Sequence, residues 1–167
     1  MVTIRFEEPG DCDAIHAVHV ASFPTPAEAC LVDALRAAGH LRFSLVALAR
    51  DAIVGHVAFS PVGISGRNDG DGVGLAPVAV LPAFRRRGIA EQLIGQGLAA
   101  CARSGCGFVV VLGDPHYYSR FGFIHASTWG LRDEYDGAEA FQTLELRRGS
   151  ISPGGGVVRY GPEFAAL

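Results

Sequence analysis

From Leu75 to Leu93 the chain reads L-A-P-V-A-V-L-P-A-F-R-R-R-G-I-A-E-Q-L, an order that few backbones accommodate. An apolar run of strand length, Leu75 to Leu81, meets Pro82; three consecutive arginines and Gly88 follow. Helical spacing then begins at Ile89, with Leu93, Ile94, Leu98 and Ala99 on one face of a helix reaching Ala102. A strand that turns directly into a helix aims backbone N–H groups and a helix N-terminus at one point, where an anion is stabilised. Arginines at a helix start oppose the helix dipole, so Arg85, Arg86 and Arg87 need an anion to offset them. The stretch contains neither G-x-G-x-x-G nor G-x-x-x-x-G-K-S/T, which sets it apart from dinucleotide folds and from phosphate-loop hydrolases. The competing reading is a solvated basic turn.

The rest of the chain supplies a sheet for this element to sit in. Val2 to Glu7 alternates apolar and polar residues, as a half-buried strand does. Asp11 is placed to cap a helix ending near Ser22, with Ile15 and Val18 inward. Thr25 as cap and Pro26 at the first helical position open a second helix that ends at Gly39. Glu28 lies in its first turn, where the dipole alone favours a carboxylate. Phe43 to Ala49 and Ile53 to Val62 form strands around Arg50-Asp51-Ala52, and Gly55 inside the second suggests a bulge or a close backbone approach. His56 follows it, as a core histidine or a catalytic base. Gly63 to Gly74 reads as a glycine-rich surface loop. Phe108 to Leu112 is a strand buried on both faces. Asp114 caps a short helix carrying Tyr117 and Tyr118, and Ala140 to Leu146 and Val157 to Tyr160 are further strands. The order β-α-α-β-β-β-α-β-α-β-β predicts a mixed sheet with helices on its faces, an α/β or α+β layered fold. With no repeat and no linker, residues 1–167 read as a single domain.

Composition narrows the function. Apolar residues make up 49% of the 167, enough for a substantial core. Fourteen basic against seventeen acidic residues argue against general nucleic-acid binding. Cys12, Cys30, Cys101 and Cys106 lack C-x-x-C spacing, and His16 and His19, three apart, have no third ligand nearby, so no metal is expected. Reduced thiols, no signal-peptide pattern and no membrane-length apolar run point to a cytoplasmic protein without membrane contact.

Arg85-Arg86-Arg87-Gly88-Ile89-Ala90 resembles the Q/R-x-x-G-x-G/A motif of the GNAT superfamily of acetyl-CoA-dependent N-acetyltransferases, and the element order is similar to that fold's. The segments Gly55 to Val62, Leu75 to Pro82 and L-G-D-P-H-Y-Y-S-R-F-G-F (Leu112 to Phe123) look like the YhbS-like branch, so the resemblance spans roughly the whole chain. It implies a mostly antiparallel twisted sheet with a splayed strand pair, Leu75–Val80 and Phe108–Leu112, holding the cofactor. Pantetheine would pair with the backbone of Val78, Ala79 and Val80. The pyrophosphate would take N–H bonds from Arg86, Arg87, Gly88, Ile89, Ala90 and Glu91, with the Arg85–Arg87 charges nearby and Arg86 toward the adenosine 3′-phosphate.

The implied reaction moves an acetyl group from acetyl-CoA to a primary amine of a small molecule or protein, by direct attack and a tetrahedral intermediate. A backbone N–H near Ala79–Val80 would polarise the thioester. Tyr118, four residues before Gly122, stands where similar enzymes place the acid that protonates the departing thiolate, although both tyrosines also suit an aromatic core. An ammonium of pKa near 10 must lose a proton before attack, and Glu28 or His56 is the candidate base. The alternative is a non-catalytic acyl-CoA sensor with the same fold. Exposed edge strands offer a route to a homodimer.

Overall fold

Thirteen α-helices and β-strands follow one another among the described residues. The computed structural model describes every residue except Gly66, and every side chain except those of 66–70. The elements are β1 (Val2–Phe6), α1 (Cys12–Ser22), α2 (Ala27–Ala37), β2 (Phe43–Ala49), β3 (Ala52–Ile64), β4 (Arg67–Val80) and α3 (Ile89–Arg103). Then come β5 (Phe108–Leu112), α4 (Pro115–Tyr118), β6 (Ile124–His125), β7 (Leu131–Asp133), β8 (Phe141–Glu145) and β9 (Gly156–Arg159). They form two compact units. The first holds Met1–Ser60, Ala76–Ala100 and Pro162–Leu167; the second holds Pro61–Leu75 and Cys101–Gly161.

In the first unit the strand order is β1-β2-β3-β4. The β1–β2 and β2–β3 ladders are antiparallel, and a bulge between Ala47 and Leu48 shifts the register opposite Gly55. Alternation along β3 then assigns the two faces. His56 is paired with Val46, and Val46 packs with Ile15 of α1 and Val32 of α2. Gly55 and Phe59 point the other way, toward α3. A Cβ at Gly55 would lie 3.1 Å from Leu93, and one at Gly97 only 2.3 Å from the Phe59 ring. The two glycines therefore let α3 sit close against the strand, the close approach that was one of the two readings of Gly55.

In the second unit the order is β4-β5-β8-β6, with β9 pairing β3 and β7. β4 and β5 are parallel, and their ladder runs only from Gly72↔Phe108 to Gly74↔Val110. At its start the Phe108 ring lies over the backbone of Gly72, 2.2 Å from where a Cβ would stand.

Several local expectations need correction. The Gly63–Gly74 stretch is largely strand: β3 continues to Ile64 and β4 begins at Arg67, with Gly66 outside the described residues. Asp11 does not cap α1 with its side chain. Its carboxylate instead accepts the Glu8 N–H at 2.8 Å and both guanidinium arms of Arg5 at 2.7 and 3.1 Å. α2 begins one residue late, at Ala27, and Thr25 Oγ1 accepts that N–H at 3.4 Å. Two short strands, β6 and β7, add to the tail.

Candidate functional site

The turn before α3 is built as the sequence anticipated. Pro82–Phe84 makes one tight turn, and Arg86 (φ 61) and Gly88 (φ 75) take left-handed backbone conformations. Gln92 N–H reaches Gly88 C=O at 3.1 Å and starts the helical ladder. A helix leaves its first N–H groups without internal partners. Here those of Arg86, Arg87, Gly88, Ile89 and Ala90 have none among the described residues. The space above Gly88 is open, since a Cβ there would meet nothing within 4 Å. This is a concave set of donors that a phosphate oxygen can approach.

The three arginines divide into separate tasks. Arg85 turns inward, with Nε donating to Val80 C=O at 3.0 Å and a terminal nitrogen to Ser22 C=O at 3.2 Å. Ser22 Oγ donates to the same Val80 carbonyl at 3.3 Å, so that carbonyl is already occupied. Arg87 donates to Ala83 C=O at 3.1 Å and lies over the Phe84 ring at 5.2 Å. Arg86 is exposed and its guanidinium has no hydrogen-bond partner among the described residues, whereas Arg85 and Arg87, also exposed, each hold backbone carbonyls. A hollow of about 280 Å³ opens beside the turn, lined by Ser22, Phe23, Val78, Ala79, Val80, Arg85 and Ala90. Val78, Ala79 and Val80 come from the strand, Arg85 from the turn, Ser22 and Phe23 from the end of α1 and the residue after it, and Ala90 from α3.

Tyr118 belongs to the second unit. Asp114 accepts the His116 N–H at 3.0 Å and caps α4, as expected from its place before Pro115. Tyr118 is buried within an aromatic group formed by Tyr117, Phe121 and Phe123, with ring centroids 5.1, 6.3 and 5.8 Å away. Its ring lies over Gly113, where a Cβ would come within 2.4 Å. Burial, with a smaller contribution from Tyr117, pushes its phenol up to about 12, so it stays protonated across the neutral range.

The base candidates stand in the first unit. Glu28 is half-buried in the first turn of α2, and its Oε2 is shut away from solvent without a hydrogen-bond partner among the described residues. His56 is fully buried and both its ring nitrogens are engaged. Nδ1 lies 2.8 Å from His19 Nε2, and Nε2 lies 2.8 Å from Ser44 Oγ. Ser44 Oγ in turn donates a very short hydrogen bond to Glu7, which also accepts Arg36 Nε at 2.6 Å. Arg36 bonds Asp33 at 3.1 Å, and Asp33 meets His16 at 2.7 Å. Sequence reading missed this chain, because nothing in the spacing of Glu7, His19, Arg36, Ser44 and His56 foretells that they meet. The one available signal was a polar residue at each inward position of otherwise apolar elements.

Burial lowers the imidazole of His19 to about 4 and that of His56 well below its ordinary value, so both are neutral near pH 7. His19 Nδ1 is buried without a partner among the described residues. An acceptor in that state costs about 1–3 kcal/mol if no donor reaches it. The His19 ring stacks on Phe23 at 5.9 Å, and Phe23 lines the hollow beside Val78–Val80.

In the tail after His125 several acidic side chains are already engaged. Asp133 is buried and accepts the Tyr135 and Gly137 N–H groups at 3.0 and 2.7 Å; Glu134 holds Tyr160 N–H at 2.8 Å. Asp136, Glu139 and Arg132 stay exposed around a hollow of about 320 Å³ that also includes His125. Among the described residues no three His, Cys, Asp or Glu side chains are grouped to hold a metal, and no helix is long and apolar enough to cross a membrane.

The pattern of the acetyltransferase (GNAT) family matches residues 12–123. The chain is 42% identical over 163 residues to the uncharacterized N-acetyltransferase YhbS of Escherichia coli K12, covering 96% of this chain and 97% of that one. A second N-acetyltransferase of that organism, YjhQ, is 34% identical over 124 residues, 72% of this chain and 68% of the other. The crystal structure of E. coli YhbS in complex with CoA superposes with a TM-score of 0.93 at 40% identity, covering 98% of this chain and 92% of that one. A GNAT acetyltransferase of Brucella melitensis in complex with acetyl-CoA gives 0.82 at 38% identity, covering 98% of each chain.

Proposed function

Because the chain belongs to the GNAT acetyltransferase family, we propose that it carries an acetyl group from acetyl-CoA to a primary amine of a small molecule or protein, with residues 1–167 acting as one catalytic domain in the cytoplasm. The observation that carries this reading is the row of unpartnered N–H groups from Arg86 to Ala90 beneath the open face of Gly88. They suit the pyrophosphate, and Arg86 supplies a charge for the 3′-phosphate. The relatives whose structures contain CoA and acetyl-CoA support it.

Val78 and Ala79 offer backbone groups to pantetheine, while the Val80 carbonyl is spoken for by Arg85 and Ser22. Arg85 thus serves the cofactor by fixing the strand end. An N–H of Ala79 or Val80 polarises the thioester carbonyl, as preorganised donors do in other acyl transfers. Tyr118 gives the sulfur a hydrogen-bond donor that is never ionised at working pH. For the base, the resemblance pointed to Glu28 or His56, and a His56 whose nitrogens are both engaged can act only through its neighbours.

Titration calorimetry with acetyl-CoA on the wild type and on Gly88→Trp tests the site. The wild type is expected to bind and the variant to lose binding, since the indole would fill the space the pyrophosphate needs. Equal affinity in both would place the cofactor elsewhere.

A further inference from the structure

The hydrogen-bond chain buried under α1 and α2 has a direction, and the direction identifies a residue. The Glu7 carboxylate has acceptors only, so Ser44 must donate to it. Having spent its proton, Ser44 Oγ accepts from His56, which fixes the His56 proton on Nε2. His56 Nδ1 is then bare and accepts from His19, which fixes the His19 proton on Nε2. What remains at the end of the sequence Glu7–Ser44–His56–His19 is the lone pair of His19 Nδ1, buried and without a donor. Nothing in the first unit's own packing uses it. The chain carries the influence of one carboxylate through a hydroxyl and two neutral rings to a single acceptor, beside the ring that lines the hollow at Val78–Val80. The same logic orients the histidine of a serine–histidine–aspartate arrangement, in which the carboxylate selects the tautomer and steadies the cation.

Resting on the acetyltransferase reading above, we infer that His19 Nδ1 is the acceptor for the proton released by the reacting amine, reached directly or through one water, and that His56, Ser44 and Glu7 are positioning residues that keep it bare. The step balances simply. One N–H bond of the amine breaks, its electron pair stays on nitrogen to form or complete the C–N bond, and an N–H bond forms on His19. The resulting imidazolium holds its Nε2–H bond to His56. Concerted shifts along the chain, each ring exchanging one proton for another, offer the proton a path to Glu7, with no ring left charged. The charged and titratable groups bearing on His19 are His16, Asp33 and Arg36, besides His56 itself. Arg36 also bears on His56 and grips Glu7. Burial outweighs all three, since Asp33 favours the cation while His16 and Arg36 oppose it, and keeps the resting ring neutral.

Two measurements decide the matter. Nitrogen NMR of histidine-labelled wild-type protein at pH 7 reads the tautomers directly; both His19 and His56 are expected neutral and protonated on Nε2. A His19 that is charged, or protonated on Nδ1, overturns the inference. The second is thiol release from acetyl-CoA, with spermidine, tyramine and glycinamide as probes. Against the wild type, His19→Ala is expected to lose about a hundredfold or more in kcat. CoA affinity should stay within about twofold, and added imidazole should restore turnover in proportion to its free-base concentration. Ser44→Ala leaves His19 in place but frees the His56 tautomer, and is expected to lose about tenfold, with the loss again in kcat. Turnover of His19→Ala close to wild type, or a loss that imidazole does not restore in a folded, CoA-binding variant, overturns it, as does a loss seen in Glu28→Gln alone. A wild type that releases no thiol with any probe refutes the acetyltransferase reading itself and this inference with it.

Discussion

α3 carries two glycines two residues apart, and replacing each by alanine should change stability in opposite directions. Removing a glycine from a helix interior gains about 1 kcal/mol of propensity at either position. Gly95 is exposed and a Cβ there meets nothing within 4 Å, so Gly95→Ala should keep most of that gain. In a chain of this length it corresponds to a rise in Tm of about 2–4 °C. Gly97 is buried, and its Cβ would stand 2.3 and 2.6 Å from two ring carbons of Phe59. That ring is fully buried and set edge-on to Phe43 at a centroid distance of 6.4 Å, so it has nowhere to retreat. Overpacking of a tight core costs about 1–3 kcal/mol, and so deep an overlap belongs at the upper end. Net of the helical gain, Gly97→Ala should lose about 1–2 kcal/mol. Urea denaturation of both variants at equal protein concentration measures the pair. Adding Phe59→Leu should recover part of the Gly97→Ala loss, a coupling a double-mutant cycle reads directly. If Gly97→Ala proved as stable as Gly95→Ala, the close approach of α3 to β3 would be no constraint, and the packing account would be wrong.

Tyr118→Phe should lower turnover by about a hundredfold while CoA affinity, read by calorimetry, stays unchanged; undiminished thiol release would remove Tyr118 as the acid. A second expectation concerns pH. The Arg5 hydrogen bond, outweighing burial, holds Asp11 below its ordinary 3.8, so the folded state binds this proton less readily than the unfolded chain. The stabilisation it gives is therefore full above the unfolded value and vanishes as pH falls through the lower folded one. The stability gap between wild type and Asp11→Asn, from urea midpoints at several pH values, should persist at neutrality and close below about pH 4. A gap that instead opens on acidification would contradict the pairing.

What could be read in the sequence was local. The strand, the turn with Gly88 and the helix from Ile89 announced themselves because propensity, a proline stop and a glycine in the left-handed region all act within a few residues. Asp114 before Pro115 was legible for the same reason. Asp11 misled because a carboxylate before a helix suits a cap by proximity, while Arg5, six residues back on a strand, competed for it more strongly. The glycines of Gly63–Gly74 looked like a loop because polarity and flexibility are what a sequence displays. Their strand conformation depends on partners elsewhere in the chain. The arginine triplet was legible as a basic turn, but its division of labour was not, since only the fold brings Ser22 and Val80 within reach of Arg85. The histidine chain was the least legible of all, being assembled from Glu7 just after β1 and from α1, α2, β2 and β3, with no recurrent spacing.

The pairing of Gly72 with Phe108 has a consequence for how this protein can change over time. A strand glycine exposes its backbone, and an aromatic ring from the neighbouring strand can cover it. Here the ring occupies the volume that any side chain at 72 would claim. The two positions are therefore coupled: bulk at 72 requires the ring at 108 to shift or to be replaced by something smaller. A change at either position of this rung is felt first at the other.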